Sequence, residues 1–197
     1  MPNPKKRLTS MQLAAAKTTI PIVCISGYSG SGKTTLMVKL IALLNNYGLR
    51  VGTIKHDVHG FEIDKPGKDS YRHKAAGAYA SVITSPKQIG LVIDVDHDHA
   101  PEELAPFMPQ VDIILAEGFK RSRLPKVEVY RPETGKAPAC KGDPYLIAVV
   151  SDAKLDWGIQ QFSASDIEAL ASFILRYCHL DIRHPDASNV SSQSGSS

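Results

Sequence analysis

The eight residues Gly27-Tyr28-Ser29-Gly30-Ser31-Gly32-Lys33-Thr34 constrain the fold more than any other part of the chain. They match G-x-x-x-x-G-K-[ST], a loop whose backbone N–H groups surround a phosphate. The flanks are those such a loop requires. Ile20-Pro21-Ile22-Val23-Cys24-Ile25 is short, apolar and rich in β-branched residues, as expected of a buried parallel strand. Downstream, Leu36, Leu40, Leu43 and Leu44 recur at helical spacing, and Gly48 stands where a helix stops. Strand, glycine loop and helix in this order predict an α/β fold of the P-loop NTPase kind with a mostly parallel central sheet.

Each residue type in the loop has a task. Gly27, Gly30 and Gly32 permit positive φ and close backbone approach, so several N–H groups can converge on one anion. The helix beginning near Lys33 aims the positive end of its dipole at the same point. Lys33 is expected to neutralise the β- and γ-phosphates, and the Thr34 hydroxyl to ligate Mg²⁺. Ser29, Ser31 and Thr35 complete the expected nucleotide-binding set.

A phosphate loop needs an acid on a neighbouring strand. Val111-Asp112-Ile113-Ile114-Leu115-Ala116-Glu117-Gly118 is a buried apolar run that ends in one. Glu117, at the strand's carboxyl end, can hold a Mg²⁺ water shell or orient an attacking water, whereas Asp112 lies at the strand's entry. Arg50 to Lys55 reads as another strand, followed by the polar loop His56-Asp57-Val58-His59-Gly60-Phe61 at the edge where open α/β sheets bind ligands. There Asp57 is a candidate magnesium contact, the alternative being a turn cap. Tyr145 to Val150 is a further buried strand, ending in Ser151-Asp152. A carboxylate at that corner can accept from guanine N1–H and N2–H together, so Asp152 is a candidate guanine reader. Bracing of the turn is the competing role.

Between these segments lies an inserted portion. Tyr71 to Gly77 reads as a helix, and Ala80–Thr84 with Ile89–Ile93 reads as a hairpin, so part of the sheet is expected to be antiparallel. Asp94-Val95-Asp96-His97-Asp98-His99 has metal-binding residue types, but an extended chain sends alternate side chains to opposite sides, and a solvated loop is the preferred reading. From Lys120 to Lys141 the chain is basic. Lys126-Val127-Glu128-Val129-Tyr130 alternates like a half-exposed strand, with its charges facing water. Arg121 and Arg123 suit either solvent or a lid over phosphate. Ser165 and Glu168 have capping-box spacing ahead of a helix reaching Cys178, with Ile167, Leu170, Ala171, Ile174 and Leu175 on its apolar face.

Composition narrows the partners. The net charge of +3 is unevenly placed: Lys5, Lys6, Arg7 and Lys17 supply four positive charges with no acid in the first twenty residues, leaving the remainder at −1. A nucleic-acid partner is therefore not indicated. No apolar run approaches the roughly 18 residues of a membrane span, and Leu13 to Ala16 is too short for a signal peptide. Cys24, Cys140 and Cys178 are odd in number and widely spaced, which suits a reducing cytoplasm. The expected organisation is a flexible basic extension at 1–19, a nucleotide-binding domain at 20–180 and a disordered Ser-rich tail at 181–197.

Three stretches, GYSGSGKTTL, IKHDVHGFEIDKPGKDSYRHKAAGA and AEGFKRS with PKVEVYR after it, resemble the MobB proteins of molybdopterin-guanine dinucleotide biosynthesis. The resemblance implies a homodimeric GTP-binding accessory protein with weak Mg²⁺-dependent GTPase activity. It also implies a partner, the MobA-like transferase that attaches GMP to molybdopterin. Family binding roles fall on Gly30, Gly32, Lys33, Thr34 and Glu117; Asp57 rests on its position alone. Two other functions fit the residues: a small-molecule kinase with Arg121 and Arg123 in its lid, and a metal chaperone or adaptor using His56, His59, His97 and His99.

Overall fold

The computed structural model describes residues 20–57, 60–61 and 64–182. The expected basic extension, most of the expected tail and His59 lie outside the described residues. The chain divides into two compact units, the smaller containing residues 57–99 and the larger the stretches on either side of it.

In the larger unit, strands β1 (Ile22–Ser26), β2 (Val51–Lys55), β5 (Ile113–Glu117), β6 (Lys126–Val129), β7 (Leu146–Val150) and β8 (Gln160–Phe162) form one sheet in the order β2-β5-β1-β6-β7-β8. Every pairing is parallel. The antiparallel contribution expected from the hairpin is absent from this sheet, because β3 (Ala80–Thr84) and β4 (Ile89–Ile93) pair only with each other in the smaller unit. There they follow α2 (Asp69–Ala75). β8 was not anticipated; three residues beginning Gln160-Gln161 carry too little apolar pattern to mark a strand.

Alternation along the central strands builds two cores. Val23 and Ile25 of β1 and Ile113 and Leu115 of β5 face α1 (Lys33–Asn46) and α4 (Ile167–Tyr177). Ile22, Cys24, Ile114 and Ala116 face the other way, towards Ala105, which follows the short helix α3 (Pro101–Leu104). The amphipathic stripe of α1 buries Leu36, Met37, Leu40 and Leu44, each worth about 1.5–3 kcal/mol of transfer free energy. Helix α4 starts one residue later than the expected capping box. Asp166, not Ser165, is the cap, accepting from the Ala169 N–H at 3.1 Å.

β6 departs furthest from its expected character. All four residues are buried, with Lys126 at 0% and Glu128 at 1% exposure. Val127 and Val129 take the helix-facing side, which turns the two charges onto the opposite face rather than into water. Flanking loops supply their partners. Lys126 Nζ donates to the Ser122 carbonyl at 2.7 Å and to Asp143 Oδ2 at 2.6 Å. The Glu128 carboxylate accepts from the Ala139 N–H and from the Cys140 N–H at 2.9 Å. Among the described residues, no helix is long and apolar enough to cross a membrane.

Candidate functional site

The loop between β1 and α1 is shaped by its neighbours. Gly27 has φ 135°, and a Cβ there would lie 2.5 Å from the Val129 carbonyl oxygen of β6, so no side chain fits. Gly32, at φ 94°, caps α1 in the left-handed region. The first turn of α1 carries no acidic residue, so its N–H groups and dipole are not offset by a carboxylate of their own.

Sheet order brings the acid to the loop. β5 lies directly beside β1, with Glu117 opposite Ile25. Thr34 Oγ1 stands 3.3 Å from both carboxylate oxygens of Glu117. A hydroxyl and a carboxylate form the hard-oxygen pair that suits Mg²⁺, which accepts one or two carboxylates and keeps its waters. Lys33 Nζ donates to the Tyr28 carbonyl at 2.8 Å. Burial pulls the Lys33 ammonium below the ordinary lysine pKa; Glu117 opposes that shift, while Lys120, Lys136 and Lys55 add to it.

Residues from the β6–β7 connection brace the loop. Arg131 Nε donates to the Ser31 carbonyl at 2.9 Å, and Lys136 Nζ to the Ser29 carbonyl at 3.2 Å. The Tyr28 ring has Lys120 Nζ at 4.4 Å and Lys136 Nζ at 5.7 Å from its centroid. Sequence reasoning marked this stretch only as basic and picked Arg121 and Arg123 as possible clamps. Both are exposed and make no hydrogen bond or ion pair among the described residues. The available signal was the run of cations starting three residues after Glu117; which of them turn towards the loop is a matter of three-dimensional packing.

Thr35 lines a small cleft of about 60 Å³ with Gly32, Arg131 and Val150. Asp152, just beyond β7, lines a separate open hollow of about 470 Å³ with Lys154 and Gln161. Its Oδ1 accepts from Ser163 Oγ and the Ala164 N–H, both at 2.9 Å, and its Oδ2 lies 3.7 Å from Arg131. The Ala164 N–H, followed by the Ser163 hydroxyl, holds its pKa down. Asp152 thus braces the turn with one oxygen. Two hydroxyls at this end of the sheet, Ser31 Oγ and Ser151 Oγ, are buried without a hydrogen-bond partner among the described residues. Unpaired buried polar atoms are uncommon and concentrate where a protein has a task other than stability.

The remaining candidates divide between the two units. Asp57 is assigned to the smaller unit, not to the one that carries the loop. His56 belongs to the larger unit, its ring 4.9 Å from that of Phe119. His97 and His99 belong to the smaller unit, where their imidazoles stack at 3.8 Å rather than diverging. His97 Nδ1 is 2.7 Å from Asp96.

Comparison with known proteins agrees with this architecture. Residues 22–152 match the family model for MobB, molybdopterin guanine dinucleotide synthesis protein B. The molybdopterin-guanine dinucleotide biosynthesis adapter protein of Escherichia coli K12 is 37% identical over 168 residues, covering 83% of this chain and 96% of the relative. Its namesake from Haemophilus influenzae is 35% identical, covering 81% and 90%. The crystal structure of Bacillus subtilis MobB superposes with a TM-score of 0.65 at 30% identity, over 80% of this chain and 97% of that one. With its loop, its sheet order and these likenesses together, the chain belongs to the MobB family.

Proposed function

We propose that the chain fulfils its accessory role in molybdopterin-guanine dinucleotide biosynthesis by binding GTP with Mg²⁺ at the β1–α1 loop and hydrolysing it slowly. The observation that carries this reading is the placement of Thr34 Oγ1 3.3 Å from both Glu117 oxygens, beside Lys33 and under the loop. The amides of Gly27, Ser29, Gly30, Ser31, Gly32 and Thr35 bind the phosphates, and Lys33 carries the β- and γ-phosphate charge. Thr34 and Glu117 would hold Mg²⁺, which would supply positive charge to offset that of the phosphate oxygens. Glu117 also orients the attacking water, and Lys33 steadies the charge it creates. Asp152 reads guanine with the oxygen not engaged by the Ser163–Ala164 turn.

The same reading gives the protein a MobA-like guanylyltransferase as its partner and a reducing cytoplasm as its setting, consistent with three free cysteines. It also makes the protein a homodimer. In the smaller unit's hairpin, Val82, Ile83, Ile89 and Leu91 are exposed, and a lone two-stranded sheet is marginal in water, which favours pairing with a second copy. Thermal unfolding with GTP or ATP, each with Mg²⁺, tests the nucleotide assignment. GTP should raise Tm by more than ATP, because a ligand that binds only the folded state stabilises it. Equal shifts would remove guanine preference, and no shift with either would remove the nucleotide site.

A further inference from the structure

The rim of the loop holds more positive charge than its own residues supply. Lys55, Lys120 and Lys136 all act electrostatically on Lys33, and none of the four forms an ion pair among the described residues. Among the described residues, Glu117 is the carboxylate that opposes them at Lys33. Exposed lysines normally spread into solvent, where repulsion is screened and side-chain entropy is kept. Here two are gathered at one aromatic ring. Lys120 arrives from the β5–β6 connection and Lys136 from the β6–β7 connection, and both ammonium groups lie over the Tyr28 ring, at 4.4 and 5.7 Å. Tyr28 is 39% exposed and belongs to the phosphate loop itself.

Position says which phosphate they serve. Lys33 Nζ is held by the Tyr28 carbonyl and Lys136 Nζ by the next carbonyl, that of Ser29. The second ammonium therefore sits one residue along the loop from the group that takes the β- and γ-phosphates. A contact with an exposed ring can pre-position a lysine but cannot repay crowding of several cations. A polyanion can. Resting on the reading that the loop binds a nucleoside triphosphate, we propose that Lys120 and Lys136, poised on Tyr28, form a cationic clamp on its terminal phosphate, so that this chain distinguishes triphosphate from diphosphate. Such a clamp supplies from within the chain the charge that other phosphate-loop proteins take from an arginine of a partner. Tyr28 is the positioning residue.

Calorimetric titration of the full chain with GDP and with the imido analogue of GTP, both with Mg²⁺, tests this. Lys120→Ala and Lys136→Ala should each weaken triphosphate binding about tenfold while leaving GDP within about twofold. Lys120→Arg and Lys136→Arg should restore most of the loss. Tyr28→Phe should behave as the parent and Tyr28→Leu should lose part of the preference, since the ring and not its hydroxyl holds the ammonium groups. Lys33→Ala separates the two levels of the argument. If it abolishes binding of both nucleotides while the two alanine variants change nothing, or weaken GDP and the analogue equally, the clamp is overturned and the nucleotide site stands. If the parent protein binds neither nucleotide, both fall.

Discussion

Lys126 and the lysines around the phosphate loop are the same residue type at opposite extremes of pairing. Lys126 is fully enclosed in the central sheet, and its charge is answered by Asp143 at 2.6 Å and a backbone carbonyl. Lys33 sits at the sheet's carboxyl edge, where Glu117 opposes the combined effect of Lys55, Lys120 and Lys136 on it. A buried cation must be satisfied by the protein itself or the fold fails. A cation left short of partners at a rim is compatible with folding and favours an incoming anion instead. The difference separates charge that maintains the structure from charge that addresses a ligand.

The largest expected effect lies on the interior side of that contrast. Asp143→Ala should cost about 3–5 kcal/mol in urea unfolding by leaving Lys126 buried and unpaired, whereas the double variant Lys126→Met with Asp143→Ala, with no charge of the pair left to satisfy, should recover most of that loss. The pair also sets an acid limit. Although burial pushes the Asp143 carboxyl up, the Lys126 hydrogen bond, the Tyr145 N–H and the Lys126 charge outweigh it and hold its pKa down. Its contribution is therefore full above the ordinary aspartate pKa and is lost as pH falls through the lowered folded value.

Next comes the rim. Lys33→Ala should weaken GTP binding by at least about 100-fold, near 2.7 kcal/mol, with little change in unfolding free energy. Retained affinity would erase the contrast between the two groups. A smaller, directional effect follows from the depressed Lys33 pKa. Phosphates favour the protonated amine, so GTP affinity should be level below that lowered value and fall by up to about tenfold per pH unit above it. Stability of the free protein should move the other way through the same window, because the unfolded chain holds that proton more tightly. Titrations across the alkaline range with and without GTP check both signs. Smallest is Asp152→Asn, expected to reduce the GTP-over-ATP preference about fivefold, since one oxygen is already engaged in the turn.

What could be read from the sequence divides along a similar line. The loop, β1, α1 and the strand ending in Glu117 were legible because each combines a local pattern with a local cause: β-branched runs, glycines at fixed offsets, leucines at helical spacing. The hairpin was legible too, but not that it pairs only with itself. β6 misled because alternation reports that two faces differ without reporting what covers them; the loops at 118–125 and 138–145 bury the charged face and supply its partners. Arg131 and Lys136 reach the loop from 100 and 107 positions away in sequence, a relation that no local pattern encodes.

The register of β6 against β1, with Cys24 opposite Lys126 and Ser26 opposite Glu128, serves two tasks at once. Side chains alternate with a period of two, so a slip of one position would drive Lys126 and Glu128 into the leucine-lined layer beneath the helices. The same slip would carry Val129 away from Gly27 and draw Arg131 off the Ser31 carbonyl. Assembly of the interior and aiming of the loop are thus a single alignment: a chain that folds at all arrives with its anion cradle already set.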